Sequence, residues 1–182
     1  MNYYVEQREV PFDLHYTTML DCSAHLHDHI ELGFIKKGSS FIYVDGIGYE
    51  LKKNDFFIVF PNQIHSYEAS KNLECQLIIF SPGLVPEMRE TFTAYLPQSA
   101  VISAEGTDIE TIMSVILHQF RLKLPEFNHG IILALCSLVT HIMTMQKLSK
   151  YSIDTLKNIL IFIEQYFTEP ITVEDVAENL HI

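Results

Sequence analysis

Residues 41–51, FIYVDGIGYEL, alternate apolar and polar side chains on either side of Asp45-Gly46. That alternation has the period of a β-strand. An Asp-Gly pair between two such runs signals a two-residue hairpin, because both central residues of the favoured turn need positive φ. Further short strand-like segments follow the same spacing in ELGFIK (31–36), FFIVF (56–60) and LECQLIIF (73–80), with Gly38-Ser39-Ser40 and Lys53-Asn54-Asp55 as punctuation. Short strands parted by turns every eight to twelve or so residues predict an antiparallel sandwich or barrel.

The pattern changes after Ser81-Pro82-Gly83. Thr107-Asp108 offers an N-cap for a helix whose stripe is Ile109, Ile112, Met113, Ile116, Leu117 and Phe120, with Pro125 as its stop. A second helix is expected from about Asn128 to Lys147, apolar around most of its circumference. Such a helix must bury more than one face. One side packs on its own domain and the other wants a partner, so Ile131, Leu135, Leu138 and Ile142 are the expected homodimer contacts. A third helix through Leu156, Ile159, Leu160, Ile163 and Phe167 ends at Glu169-Pro170, and Thr172 caps a short fourth from Val173 to Leu180. The fold class is therefore α+β, with three regions: 1–100 an antiparallel β domain, 101–150 a helical connector and dimerisation region, and 151–182 a separate helical start.

The formal charge of −11 repels phosphate backbones and argues against strong nucleic-acid binding by these residues. Cys22, Cys75 and Cys136 are widely spaced and form no disulfide framework, which fits a reducing compartment. The first residues, MNYYVEQREV, lack the features of a signal peptide, and the most apolar stretch, Ile131 to Met143, is too short to span a bilayer. A cytoplasmic protein with no membrane partner is the expectation.

The densest chemistry lies in CSAHLHDHIELGFIKKG, residues 22–38. His25, His27 and Glu31 are separated by even numbers, which on extended chain sends all three to one face. His29 shares that parity, and Cys22 lies three residues before His25, so both are second-rank candidates. His65 follows in PNQIH. These residues suit either a metal site or a set of histidines that hydrogen-bond one another, a carboxylate or an organic ligand.

HLHDHIELGFIKKG matches the first cupin motif, H-x-H-x3-E-x6-G, at every specified position, and NDFFIVFPNQIH resembles the second. Asn54 stands where the second motif has glycine, Asn62-Gln63 lacks another glycine, and Ala69 replaces a terminal Asn. The resemblance implies a cupin-like β-barrel (double-stranded β-helix) whose metal ligands are His25, His27, Glu31 and His65. Three imidazoles and a carboxylate suit a divalent ion: Zn, Ni, Mn or Fe. Tyr43 and Tyr67 join these four as the expected effector pocket.

The last 27 or so residues, LKNILIFIEQYFTEPITVEDVAENLHI, resemble the opening of the AraC/XylS-type DNA-binding domain through Ile163, Tyr166-Phe167, Pro170-Ile171-Thr172, Asp175, Ala177 and Leu180. The combined resemblance implies the effector-sensing and dimerisation part of an AraC-type transcriptional regulator, with a small-molecule effector and a homodimer as partners. It implies no catalytic residues and allosteric control of a DNA-binding half. The alternative is a metal-dependent cupin enzyme, an oxygenase or isomerase using the same ligands. From Tyr151 onward Lys157 alone faces six acidic residues, so DNA binding is expected only through a C-terminal continuation that would carry the recognition helix.

Overall fold

The computed structural model describes residues 3–119, 125–148, 158–159, 162–163 and 166–180. They divide into two units, Met1–Gln146 and Lys147–Ile182.

The first unit is built on two long strands. Between residues 4 and 103 the strands are β1 (Tyr4–Val5), β2 (Phe12–Thr17), β3 (Cys22–Leu26), β4 (Ile30–Val44), β5 (Ile47–Lys52), β6 (Asp55–Val59), β7 (His65–Phe80), β8 (Tyr95–Pro97) and β9 (Val101–Ser103). All but β8 join one sheet along the path β1-β3-β7-β4-β6-β9, with β2 also on β7 and β5 also on β4. The pairs are antiparallel except β1 on β3, and the path does not close into a ring.

Strands β4 and β7 each serve two neighbourhoods. Residues 75–80 of β7 lie between β2 and the start of β4, whereas 65–67 lie between β3 and the end of β4. Likewise β4 pairs with β6 near its start and with β5 near its end. Register shifts between Ile35 and Phe41 separate the halves, with Gly38 at φ 79° opposite a β7 segment that contains Asn72 at φ 48°. Bulges of this kind bend a strand without ending it. Gly38-Ser39-Ser40 therefore bends β4 where the sequence pattern predicts a break. Asp45-Gly46 does turn the chain, at φ 49° and 82°.

The side-chain period of two then sorts the core. Ile30, Leu32, Phe34, Phe56, Ile58, Ile78 and Phe80 pack with the helices, while Phe57, Val59, Cys75, Leu77 and Ile79 pack inward against Ile42, Val44 and Leu51 of the other half. This half-sheet is buried on both faces, which is why its strands read as unbroken apolar runs. The covering helices are α1 (Arg89–Ala94), α2 (Ile109–Gln119) and α3 (Pro125–Ile142). Pro125 opens α3 instead of merely stopping α2, since the first helical position needs no backbone donor. Helix α3 also ends at Ile142, five residues before the expected Lys147. Phe120 of the expected α2 stripe lies outside the described residues, as do Leu156 and Leu160 of the expected third helix.

In the second unit, α4 (Val173–Leu180) begins as expected at Thr172. The Asp175 N–H donates to Thr172 Oγ1 (3.1 Å) and the Thr172 N–H donates back to Asp175 Oδ2 (2.7 Å), a reciprocal cap. The remaining described residues of this unit include helical positions 158–159, 162–163 and 166.

Gly33 shows how tightly the interior is filled. A Cβ built there would lie 2.0 Å from the ring of Phe57, its partner across the β4–β6 ladder. We predict that Gly33→Ala lowers unfolding free energy by about 1–3 kcal/mol in urea titration, and that adding Phe57→Leu recovers much of the loss. An unperturbed Gly33→Ala variant would contradict this packing.

Candidate functional site

The chain brings His25, His27, Glu31 and His65 together, one potential ligand atom from each lying within 4.8 Å of the others. All four are buried, at 4%, 1%, 2% and 1% exposure. The route differs from the parity expected of a continuous strand. Strand β3 ends at Leu26, residues 27–29 form a bend, and β4 starts at Ile30. His25 thus comes from β3, His27 from the bend, Glu31 from β4 and His65 from the start of β7 directly opposite His25. The same bend removes His29, whose Nδ1 meets Asp28 (2.6 Å) and whose Nε2 meets the Val10 carbonyl (3.1 Å).

Each imidazole is oriented through its Nδ1. His25 donates to the Ser23 carbonyl (2.9 Å), His27 to that of His29 (3.1 Å) and His65 to that of Gln63 (3.0 Å). A carbonyl only accepts, so these contacts fix Nδ1 as the protonated nitrogen and leave Nε2 to the cluster. The Nε2 of His27 lies 3.2 Å from Glu31 Oε2, and that of His65 lies 3.5 Å away without making a hydrogen bond. Tyr67 donates to Glu31 Oε1.

The electrostatics follow from this geometry. Burial pushes the Glu31 carboxyl up, but the contacts from His27, His65 and Tyr67 outweigh it and hold it well below the usual carboxylate range. Burial opposes charge on His65, yet Glu31 draws its pKa upward. Burial draws His25 down, and neighbouring His65 adds to that. Burial and the Glu31 charge together raise the Tyr67 phenol well above its ordinary value, so it stays a donor. An ionised carboxylate facing imidazole lone pairs is stable only with positive charge among them, whether a proton or a metal ion.

The donor set fits a divalent metal. Its three histidines already carry, through Nδ1, the backbone contacts that orient metal-bound imidazoles, and the orphaned His65 Nε2 is a buried atom in need of a partner. The second-motif departures prove compatible with the fold. Asn54 and Asn62 sit at φ 70° and 65°, a left-handed conformation that Asn tolerates nearly as glycine does. The PNQIH loop is tied down as well. Gln63 receives the Phe60 N–H (2.8 Å) and donates to Asp45 (2.7 Å), and the Asn62 N–H donates to the His27 carbonyl (2.8 Å).

Tyr67 belongs to the cluster but Tyr43 does not. Inward-facing Ile42 and Val44 flank Tyr43 on β4, which therefore points outward, and its hydroxyl donates to Glu68 (2.8 Å). Cys22 Sγ meets the Tyr4 hydroxyl (3.5 Å) and the protonated Nδ1 of His25 (3.6 Å), not the nitrogen that faces the cluster. Two neighbours have no motif to announce them. Tyr4 on β1 stacks on His25 at 5.4 Å and 17°, and Glu6 lies 3.7 Å from His25 Nε2. Of the α3 residues, Leu135 is fully buried in the unit's own core, Ile131 and Leu138 are partly buried against it, and Ile142 is 38% exposed.

Comparison with known proteins agrees with this architecture. An uncharacterized HTH-type transcriptional regulator of Bacillus subtilis (strain 168), YbfI, is 23% identical over 166 residues, 85% of this chain and 59% of its own length. The chain thus spans about three-fifths of that curated relative. Among solved structures, ToxT from Vibrio cholerae O395 bound to (E)-4-(8-methylnaphthalen-1-yl)but-3-enoic acid superposes with a TM-score of 0.55 at 15% identity, over 95% of this chain and 72% of that one. Unsaturated fatty acid-bound wild-type ToxT from strain SCE256 gives 0.55 at 12% identity, over 97% and 71%. At such identities the likeness is one of fold. The family model described as the AraC-like ligand binding domain matches residues 12–126, more than half of the chain. The chain belongs to the AraC-like ligand-binding domain family.

Proposed function

We propose that this chain is the effector-sensing and dimerisation part of an AraC-type transcriptional regulator, and that a divalent metal ion is the resident partner of its buried cluster. The observation that carries the metal assignment is the fixed tautomer of three histidines, each with Nδ1 on a backbone carbonyl and Nε2 turned to the cluster. His25, His27, Glu31 and His65 would hold the ion, which when bound would offer a Lewis-acidic anchor for an oxygen of the effector. Tyr67 holds Glu31 in place and Glu31 keeps its charge. Val44, Val59, Leu77 and Ile79 keep the surroundings apolar.

The whole protein would couple this site to DNA through a continuation bearing the recognition helix. Helices α2 and α3 pack on the outer face of the half-sheet whose inner face carries Glu31, so a shift in β4 would be felt by both. The acidic surface fits a domain that senses ligand while another reads DNA. The family likeness to transcription regulators favours this reading over an enzyme.

Two experiments test it. Stripping metal with a chelator and adding back Zn, Ni, Mn or Fe should raise the melting temperature by about 5–10 °C at saturating metal, and Glu31→Gln should abolish the response. No shift, with no metal in elemental analysis, would refute the metal assignment. For the dimer, Ile142 is the informative position because Leu135 already serves the unit's own core. Ile142→Glu should halve the mass measured by light scattering with little change in melting temperature, and an unchanged dimeric mass would contradict the α3 interface.

A further inference from the structure

A second polar site lies on the opposite face of the sheet, independent of the reading just given. Gln76 of β7 is 1% exposed, and neither its Nε2 nor its Oε1 has a hydrogen-bond partner. It sits in the middle of the sheet, paired with Phe34 of β4 on one side and Tyr16 of β2 on the other. It shares the parity of Ile78 and Phe80, which places its side chain on the helix-facing surface. An apolar residue would fill that position without loss, whereas an unmet buried amide costs about 1–3 kcal/mol.

Gln76 lines a cleft of about 350 Å³ together with Lys36, Ser114, Leu117 and His118. That volume is in the range of small-molecule sites. No acidic residue is among these five, although the chain carries a net charge of −11. Glu74, which feels the charge of Lys36, is already engaged by Tyr16 (2.6 Å) and Lys37 (3.4 Å). The cleft is thus lined by Lys36, His118, Ser114 and Leu117, with the buried, unpartnered amide of Gln76 beneath them.

We propose that this cleft binds a small 2-hydroxycarboxylate with an apolar tail. A carboxylate oxygen would accept from Gln76 Nε2, with Lys36 and His118 supplying countercharge, and the adjacent hydroxyl would donate to Gln76 Oε1. The tail would lie against Leu117. Occupancy would stabilise one placement of α2 on the sheet, because Ser114, Leu117 and His118 all belong to that helix.

The test is an NMR titration of the whole chain with 2-hydroxyisocaproate. The expected result is a saturable shift of the Gln76 side-chain amide and of the Ser114 and His118 backbone amides. Isocaproate, which lacks the hydroxyl, should bind more weakly, and 4-methylpentane-1,2-diol, which lacks the charge, should not bind. Gln76→Met should weaken binding about tenfold or more while raising the melting temperature of the ligand-free chain. Should Gln76→Met fail to fold, Lys36→Ala at the half-buried rim supplies the same affinity test. Unmoved Gln76 amide signals at millimolar 2-hydroxyisocaproate would overturn the proposal, as would equal affinity for the diol or undiminished affinity in both variants.

Discussion

A single buried carboxylate sets the terms for the interior of the folded sheet. Glu31 is 2% exposed between Val59 and Ile79, where an unpaired charge would be prohibitive. It stays ionised because Tyr67 donates to one oxygen while His27 and His65 face the other. Removing one partner of such a buried set typically costs about 3–5 kcal/mol. The arrangement also contributes little as a stability device, since apolar residues of similar volume would pack as well. The proposed cation would supply the positive charge that this buried set lacks.

The rest of the sheet supports that cluster. Two bent strands bring Glu31 and His65 in from different halves of the sheet. The PNQIH loop is fastened to the Asp45 hairpin turn and to the His27 carbonyl, so a turn more than fifteen residues away in sequence helps aim His65. Gly33 gives Phe57 the space to close the interior beside Tyr67, whose ring lies 5.8 Å from that of Phe57. Burial of one half-sheet on both faces ties these positions to the helices without any side chain passing through the sheet.

Much of this was legible in the sequence. Asp45-Gly46 marked a hairpin because the turn's backbone needs those residues, and the H-x-H-x3-E spacing with His65 identified the cluster that forms. Strand parity reached that cluster for an incomplete reason, because residues 27–29 bend and only tertiary structure returns His25 and Glu31 to one interior. Parity also could not separate His29 from its neighbours, nor place Tyr43 on the outer face. Gly38 and Asn72 have the same composition signature whether they end a strand or bulge it; long-range pairing decides. The contribution of Tyr4 and Glu6 was invisible, since a two-residue strand leaves no periodicity. Gln76 in LECQLIIF carries no sequence signal that its amide lacks a partner, since only the tertiary packing leaves it unmet.

On the proposed reading, three histidines and one glutamate hold a divalent ion. Metal-edge X-ray absorption on the chain loaded with one equivalent of zinc tests it most directly. The expected first shell has about three imidazole nitrogens and at least one oxygen at about 2.0–2.2 Å, with the imidazole scattering reduced in His65→Ala. A shell of water-like oxygens without imidazole scattering, or one unchanged by the substitution, would contradict it.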